Sequence, residues 1–468
     1  MNAHHIAPGL TSVEAVCELL QGELRGNAKA IQFSGISTDT REVIPGQLFV
    51  ALSGPHFDGH DFVSWAEHKG AVAMVVAHPV DVSVPQIIVS DPLRAYAQLA
   101  ANWRQQFDIP LIAITGSNGK TTVKEMLAAI MACKGNVLAT QANFNNEIGV
   151  PRTLLGLRAE HVAAVIEEGA SAPGDIAYLT AFVQPTVAVV TNASGAHLTG
   201  FGSVEAVAKT KGGIFENLPA NGVAIINADD AFARLWQEQA APRTIVRFSL
   251  SAESGVENDA EVRGELTADG SLQILTPAGE MRVTLPLEGR HNAANALAAT
   301  AAALAAGASL ANVKTGLESM KPVSGRLQRK AGIRGARIID DTYNANPASL
   351  HAALDVLAQC AGDRYLALGD MAELGEQAVE YHQQAGHQAR KAGVSRLYAV
   401  GECSQYAAQA FGEHGQHFAA QDELISRLQE DLHKDVTLLV KGSRSAQMEN
   451  VVAALSVAAV AGAVEEMN

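Results

Sequence analysis

Cysteine is scarce. Cys17, Cys133, Cys360 and Cys403 are the only four in 468 residues, and no two of them form a CxxC pair. That excludes a disulfide framework and a zinc knuckle, and it fits free thiols in a reduced cytosol, so a cytoplasmic location is expected. Basic charge is also in deficit: Lys and Arg total 34 against 49 Asp and Glu, a formal net charge of −15. A general nucleic-acid surface would be basic, so that class is set aside, although local Arg and Lys can still bind small anions. Long apolar runs are missing. The longest weakly polar tract, Val451 to Val464, is Ala-rich and short of the ~20 residues a bilayer crossing needs; it reads as a packed terminal helix. Met1-Asn-Ala-His-His5 has no basic stretch followed by an apolar one, so no export signal is expected. With 48% hydrophobic and 18% charged residues, a large core is available, and the length suits two to four domains.

The most informative stretch is Pro110-Leu-Ile-Ala-Ile-Thr-Gly-Ser-Asn-Gly-Lys-Thr-Thr-Val-Lys124. An apolar run, a glycine-rich turn and a helical pattern follow in the order strand, loop, helix. Backbone N–H groups of such a loop, with the helix N-terminus, cradle phosphate oxygens. Gly116, Ser117, Asn118 and Gly119 supply the loop, Lys120 a charge for the outer phosphates, Thr121 a hydroxyl for Mg²⁺, and Thr122 continues the helix. Ile114 stands where the strict pattern wants its first glycine, so the match is partial. An ordinary strand-to-helix turn is the bland alternative.

Residues 1–108 read as a small mixed α/β domain. Leu10 to Leu24 has helical spacing with Thr11 as the candidate N-cap, and Leu48 to Leu52 is a strand candidate after the Pro45-Gly46 turn. Ser37, Thr38, Asp39, Thr40 and Arg41 crowd polar groups before it; on chemistry alone they are a surface loop. A central domain, 109–322, begins with the phosphate loop. Val137 to Ala139, Ala163 to Ile166 and Thr186 to Val190 are short apolar runs of the kind found in parallel strands buried on both faces. Asn143, Asn145 and Asn146 lie in a polar loop, for which turn chemistry is the alternative. Glu167 and Glu168 follow a strand, and His197 follows another, at the edge where open parallel sheets bind ligands. Ser203 is a candidate N-cap for a helix to Asn217, in which Gly212 and Gly213 imply close packing or a ligand. From Glu261 to Leu287 the period becomes two, with a hairpin signal at Asp269-Gly270, suggesting an antiparallel appendage. Gly289 to Asn295 opens an Ala-rich helix. Beyond Lys321-Pro322, residues 323–468 repeat the strand–helix alternation, with strand candidates Arg337 to Asp341, Tyr365 to Leu368, Arg396 to Val400 and Val436 to Val440. The expected fold is therefore α/β in three domains: a small mixed domain, a central P-loop mononucleotide-binding domain with a mostly parallel sheet, and a C-terminal Rossmann-like domain that closes over the triphosphate.

An ordered set of pieces resembles the Mur ligases, ATP-dependent amide-forming enzymes of peptidoglycan precursor synthesis. The set is Thr115-Gly-Ser-Asn-Gly-Lys-Thr-Thr122, Asn143-Phe-Asn-Asn146, Glu167, His197, Lys211, His291-Asn-Ala-Ala-Asn295, Ser324-Gly-Arg326 and Asp340-Asp-Thr-Tyr-Asn-Ala-Asn-Pro347. Leu368-Gly-Asp-Met-Ala-Glu-Leu-Gly375 and Lys441-Gly-Ser-Arg444 narrow it to the branch that adds a dipeptide. The Asp-Asn-Pro-Arg-type motif of the branch adding the third residue does not occur. The resemblance implies ATP and Mg²⁺ as cofactors, UDP-N-acetylmuramoyl-tripeptide and D-alanyl-D-alanine as substrates, and a monomer. It implies that Glu167 and His197 help hold a second Mg²⁺, and that Lys211 carries a carbamate, with Lys209 the alternative if the register differs. Asn292 and Asn295 fall on the nucleotide side, Asn295 matching an adenine contact. Arg326 and Asp341 match contacts to nucleotide phosphates and ribose. Asn143, Asn145 and Asn146 match the sugar-pyrophosphate loop, and Ser37, Thr38, Asp39 and Arg41 the uridine end. Asn344, Asn346 and Arg444 are candidates for the dipeptide. A folylpolyglutamate-synthase-like ligase shares the chemistry but not the uridine-type first domain, and a nucleotide-switched ATPase without an acceptor is the rival from another class.

Overall fold

The computed structural model describes residues 12–55, 57–195, 198–250 and 259–457. Its strands fall into three main sheets, one in each third of the chain, and a two-stranded hairpin, Ser53–Gly54 with Phe57–Asp58. The first sheet runs Glu23–Arg25, Gln86–Ile88, Ala73–Val76, Leu48–Val50, Ile36–Ser37, parallel except at the Glu23–Arg25 edge. The expected first helix is shorter than its spacing implied. It spans Val13–Leu20 and is capped by Ser12, whose hydroxyl accepts the Ala15 N–H at 3.1 Å; Thr11 lies outside the described residues. Gln21 turns left-handed (φ 52°) and Glu23–Arg25 becomes a strand, so the last part of the periodic stretch belongs to a sheet edge.

Helix Pro92–Arg104 joins the first sheet to the central one. Asp91 caps it and Pro92 opens it, the arrangement favoured at a helix start. Its Leu99, Ala100 and Trp103 belong to one core cluster with Val13, Leu48 and Val75 on one side and Leu111, Leu154 and Ile166 on the other. Trp103 also donates its indole N–H to the Leu157 carbonyl, 3.2 Å.

The central sheet has nine strands, ordered Asn136–Ala139, His161–Glu167, Leu111–Thr115, Val187–Val190, Val223–Asn227, Thr244–Ser249, Val262–Leu266, Leu272–Thr276, Gly279–Val283. The phosphate-loop strand Leu111–Thr115 is fully buried and sits between the strands ending in Glu167 and Val190. The chain turns to opposite sides of it, which is the switch point where such sheets hold ligands. The expected antiparallel stretch is present, but it joins the central sheet. Val262–Leu266 pairs in parallel with Thr244–Ser249, a strand the periodicity did not reveal, and only the last two pairings are antiparallel. The hairpins therefore extend the central sheet rather than stand apart, because Val262 and Ile274 pack into the same core as the Ala-rich helix Arg290–Ala305.

The C-terminal sheet runs Gln328–Ala331, Arg337–Asp341, Val436–Lys441, Asp363–Gly369, Arg396–Val400, Gly415–Phe418, parallel after the first pair. Two of these strands, Gln328–Ala331 and Gly415–Phe418, are half-exposed edges with too little apolar patterning to find in sequence. Apolar clusters cover both faces of the sheet. Of the Ala-rich tail, Glu449–Leu455 is helical, while residues 458–468 lie outside the described set. No helix of the described residues is long and apolar enough to cross a membrane.

Helix Leu310–Ser319 packs on the phosphate helix Lys120–Ala132 through Gly316, where an added Cβ would press on the Ile130 backbone. Gly316→Ala should therefore force the two helices apart and destabilise the fold by about 1–3 kcal/mol, read as a lowered thermal midpoint. An unchanged midpoint would show that the contact relaxes freely.

Candidate active site

The carboxyl ends of the central strands and the facing C-terminal domain enclose a cavity of about 1500 Å³. Its lining includes Ser117, Asn118, Gly119, Lys120, Thr122, Asn143, Asn145, Asn146, Glu167, Lys211, Asn292 and Asn295 from the central domain. Arg326, Asp341, Asn344, Asn346 and Arg444 line it from the opposite side. Gly116 and Thr121 stand just behind this wall. His197 lies outside the described residues.

The phosphate loop is held by its neighbours. Ser117 N–H donates to the Asn192 carbonyl at 2.9 Å, Asn118 N–H to Asn192 Oδ1 at 3.0 Å, and Thr191 Oγ1 to the Asn118 carbonyl at 2.6 Å. Lys120 Nζ donates to the Gly116 carbonyl, 2.7 Å, curling back over the loop as a phosphate-binding lysine does. Gly119 has φ +83° and its missing side chain leaves room for Asn295 Oδ1, so only glycine suits the position. Burial lowers the Lys120 pKa; Glu167 opposes that shift, and Arg326 adds to it.

Glu167 is the hub. Thr121 Oγ1 donates to its Oε2 at 3.0 Å and Asn145 Nδ2 to its Oε1 at 2.9 Å. The Glu167 N–H is held by Thr140 Oγ1, 2.9 Å, while buried Lys124 donates to the Thr140 carbonyl at 2.7 Å. From the other domain Arg326 reaches Thr121 Oγ1 at 3.2 Å and lies over the Tyr343 ring, 4.2 Å from its centre. Its Nε is buried without a hydrogen-bond partner. Asp341 forms a buried ion pair with Lys441, and Lys441 also donates to the Asn344 carbonyl at 3.0 Å. Lys441 was part of a family run in the sequence but not among the candidate residues; its fully buried position is what marks it. His291, Tyr343, Asn192 and Lys330 also line the cavity and were missed. His291 and Tyr343 stood inside the family runs without being singled out, whereas Asn192 and Lys330 are single polar residues with no local signal.

Lys211 is buried, 3% exposed, at the end of helix Val204–Gly212, which Ser203 caps as expected. Burial, with the charge of Lys120, holds its pKa well below the usual lysine value, which favours the neutral amine. A Cβ at Gly212 would displace the end of the Gln239 side chain, and one at Gly213 would lie 3.3 Å from the Ala177 backbone nitrogen, so both glycines sit in close packing.

Other candidates are placed differently. Asn346 Oδ1 caps helix Pro347–Ala358 through Ser349 N–H, 2.9 Å, and its amide donates to Asn118 Oδ1 at 2.8 Å, bridging the domains. Arg444 pairs with Glu449, 2.7 Å. Ser37, Thr38, Asp39 and Arg41 do not line the cavity. Asp39 is bound by Arg41 at 2.6 Å, which lowers its pKa, and Ser37 Oγ donates to the Asp39 carbonyl, 3.0 Å. The segment meets the central domain through Glu42 and Arg152, 3.0 Å apart.

These features, a glycine-rich phosphate loop facing an acidic hub with a second α/β domain across the cleft, define an ATP-dependent ligase. The chain belongs to the Mur ligase family. Residues 32–107 match the Mur ligase family catalytic domain, 114–303 the Mur ligase middle domain, and 325–444 the glutamate ligase domain. Among its relatives, the UDP-N-acetylmuramoyl-tripeptide--D-alanyl-D-alanine ligase of Escherichia coli (strain K12) is 45% identical over 447 residues, covering 95% of this chain and 98% of that one. That of Bacillus subtilis (strain 168) is 32% identical over 456 residues, covering 94% and 97%. Among solved structures, MurF from Acinetobacter baumannii superposes with a TM-score of 0.88 at 35% identity, covering 95% and 98%. MurF ligase from Thermotoga maritima in complex with ADP gives 0.79 at 27%, covering 90% and 96%. E. coli FolC in complex with DHPP and ADP, 21% identical at 0.60, shares the fold alone.

Glu168, next to the hub, points away from the cavity and is fully buried. Thr180 Oγ1 donates to its Oε2 at 2.7 Å, and Oε1 has no partner. Burial pushes its pKa up to about 8. Its native pKa thus exceeds that of the unfolded chain, so between about pH 4.5 and 8 unfolding releases a proton and stability falls as pH rises. Glu168→Gln has no charge to bury. Its stability should equal or approach that of the wild type near the low end and exceed it by about 3 kcal/mol at pH 7. Chemical denaturation across this range checks it, and parallel pH profiles for the two proteins would refute it.

Proposed function

We propose that this chain is the ligase that joins D-alanyl-D-alanine to the peptide carboxylate of UDP-N-acetylmuramoyl-tripeptide. The products are UDP-N-acetylmuramoyl-pentapeptide, ADP and phosphate, in peptidoglycan precursor synthesis. The observation that carries this reading is the cleft, where Lys120, Glu167 and Asn145 face Arg326, Asp341 and Lys441 across one cavity. In the three-domain division, 1–108 binds the UDP-sugar, 109–322 binds ATP, and 323–468 closes over ATP and takes the dipeptide. The protein acts as a monomer in the cytoplasm.

A carboxylate is a poor acylating agent because its leaving group would be oxide. The tripeptide carboxylate attacks the γ-phosphate of ATP and becomes an acyl phosphate. The amine of the dipeptide then attacks that carbonyl, and phosphate leaves. Lys120 neutralises the outer phosphates from the loop side, and Arg326, with its unpartnered Nε, does so from the other. Gly116 to Gly119 cradle the phosphates through backbone N–H groups, with Thr122 behind them, and Asn292, Asn295 and Asp341 bind the nucleoside. Asn143, Asn145 and Asn146 take the sugar pyrophosphate, Ser37, Thr38, Asp39 and Arg41 the uridine end, and Asn344, Asn346 and Arg444 the dipeptide.

Among the described residues no three His, Cys, Asp or Glu cluster to form a self-sufficient metal cage. A threonine hydroxyl and a carboxylate oxygen 3.0 Å apart do suit Mg²⁺, a hard ion that takes much of its coordination from phosphate and water. Thr121 would hold one such ion and Glu167, with His197, would help hold a second, and when bound they would screen the phosphate charge. The depressed pKa of Lys211 suits carbamate formation, since a neutral amine adds CO₂ and becomes an anion facing the site.

Phosphate release from Mg-ATP, with the two substrates supplied separately and together, tests the reading alongside product mass. Release only with both, plus a UDP-pentapeptide mass, is expected. Release indifferent to either substrate would favour the ATP-driven switch instead. Lys120→Met should lower kcat by at least ~10³-fold, since it removes charge stabilisation made at the transferred phosphoryl group. Lys211→Arg, which forms no carbamate, should be similarly impaired, and depletion of bicarbonate should slow the wild type while leaving this variant unaffected.

A further inference from the structure

The run Leu368-Gly-Asp-Met-Ala-Glu-Leu-Gly375 contributes nothing to the cavity wall, yet it is tied down from several directions. The Asp370 carbonyl accepts Ser443 N–H at 2.9 Å and Ser443 Oγ at 2.6 Å. Asp370 Oδ1 accepts the N–H groups of Cys403 and Ser404, 3.1 and 2.7 Å. Met371 and Leu374 are buried in the C-terminal core. Met371 N–H donates to Nε2 of His382 at 3.0 Å, and Nδ1 of that ring lies 2.7 Å from the Ala378 carbonyl. Since Nε2 accepts, the proton sits on Nδ1 and the ring is neutral, consistent with its complete burial and depressed pKa. The turn so held has Glu373 at φ +61°, and the Glu373 carbonyl accepts the Thr199 N–H of the central domain at 3.4 Å. Gly375 faces Thr199 as well.

We propose that His382 is a positioning residue that shapes the Met371–Gly375 turn for docking onto the central-domain turn Leu198–Phe201, and that this docking keeps water from the acyl phosphate. The proposal rests on the ligase reading above. Without the docking, water oxygen bonds to the acyl carbon and the carbon–oxygen bond to phosphate breaks. Tripeptide carboxylate and phosphate are released and a proton passes to solvent, so ATP is consumed without product.

The test counts phosphate and pentapeptide from the same reaction with both substrates present. His382→Phe keeps a buried ring but loses the acceptor. His382→Gln can accept from Met371 and donate to Ala378. Thr199→Pro removes the interdomain donor at the first turn of a helix, where proline is tolerated, and leaves the C-terminal core intact. Wild type and His382→Gln should give one phosphate per product. His382→Phe and Thr199→Pro should lose about tenfold in product rate, the order expected for one buried hydrogen bond, and release phosphate in excess of product, with ADP affinity unchanged. A merely structural role would lower both yields together; a ratio that stays at one in both variants overturns the proposal. Pentapeptide absent from the wild-type reaction would overturn the ligase reading, and the proposal with it.

Discussion

The Glu167 carboxylate, shared between Thr121 and Asn145, is the contact on which the site depends. The three residues come from different elements: Thr121 from the phosphate helix, Asn145 from the polar loop after Asn136–Ala139, and Glu167 from the end of strand His161–Glu167. They converge because the phosphate strand is central, flanked in parallel by its neighbours, so that three carboxyl ends open on the same edge. Thr140 and Lys124 brace that convergence from beneath. A shift of any one strand would misplace both oxygens of the carboxylate.

The second domain meets this hub through a few polar contacts. Arg326 touches Thr121, Asn346 touches Asn118, and Arg329 pairs with Glu288 at 2.6 Å. Contacts of this size suit a surface that separates and rejoins, whereas the first and central domains share one apolar core around Trp103. The C-terminal domain is therefore the most loosely attached of the three. Ionisation follows the same geography: burial depresses two of the lysines that line the cavity, Lys120 and Lys211, while Glu168, one residue from the hub, is kept protonated behind it.

Local chemistry was sufficient for much of this. Apolar runs and caps located the phosphate strand, its helix and Ser203, because they act within a turn or two of chain. Residue order and spacing also pointed to the family. The periodic stretch to Leu24 overran its helix because a left-handed Gln21 and pairing with Gln86–Ile88 redirect the chain, and neither is encoded in apolar spacing. The antiparallel segment looked separate because a strand pairing over a distance has no local signature. Ser37 to Arg41 satisfy one another rather than face the cavity, a partnership that sequence crowding suggested but did not direct.

What the sequence determined by itself, then, was the phosphate loop, the alternating α/β character and the kind of chemistry, all properties of short segments. What only the tertiary structure decided was partnership: Lys441 with Asp341, Asn346 with Asn118, His382 with Met371, and the burial that favours the neutral form of Lys211. Those depend on chain segments brought together from far apart, where exclusion of water, not residue identity, sets the charge and the hydrogen bonds.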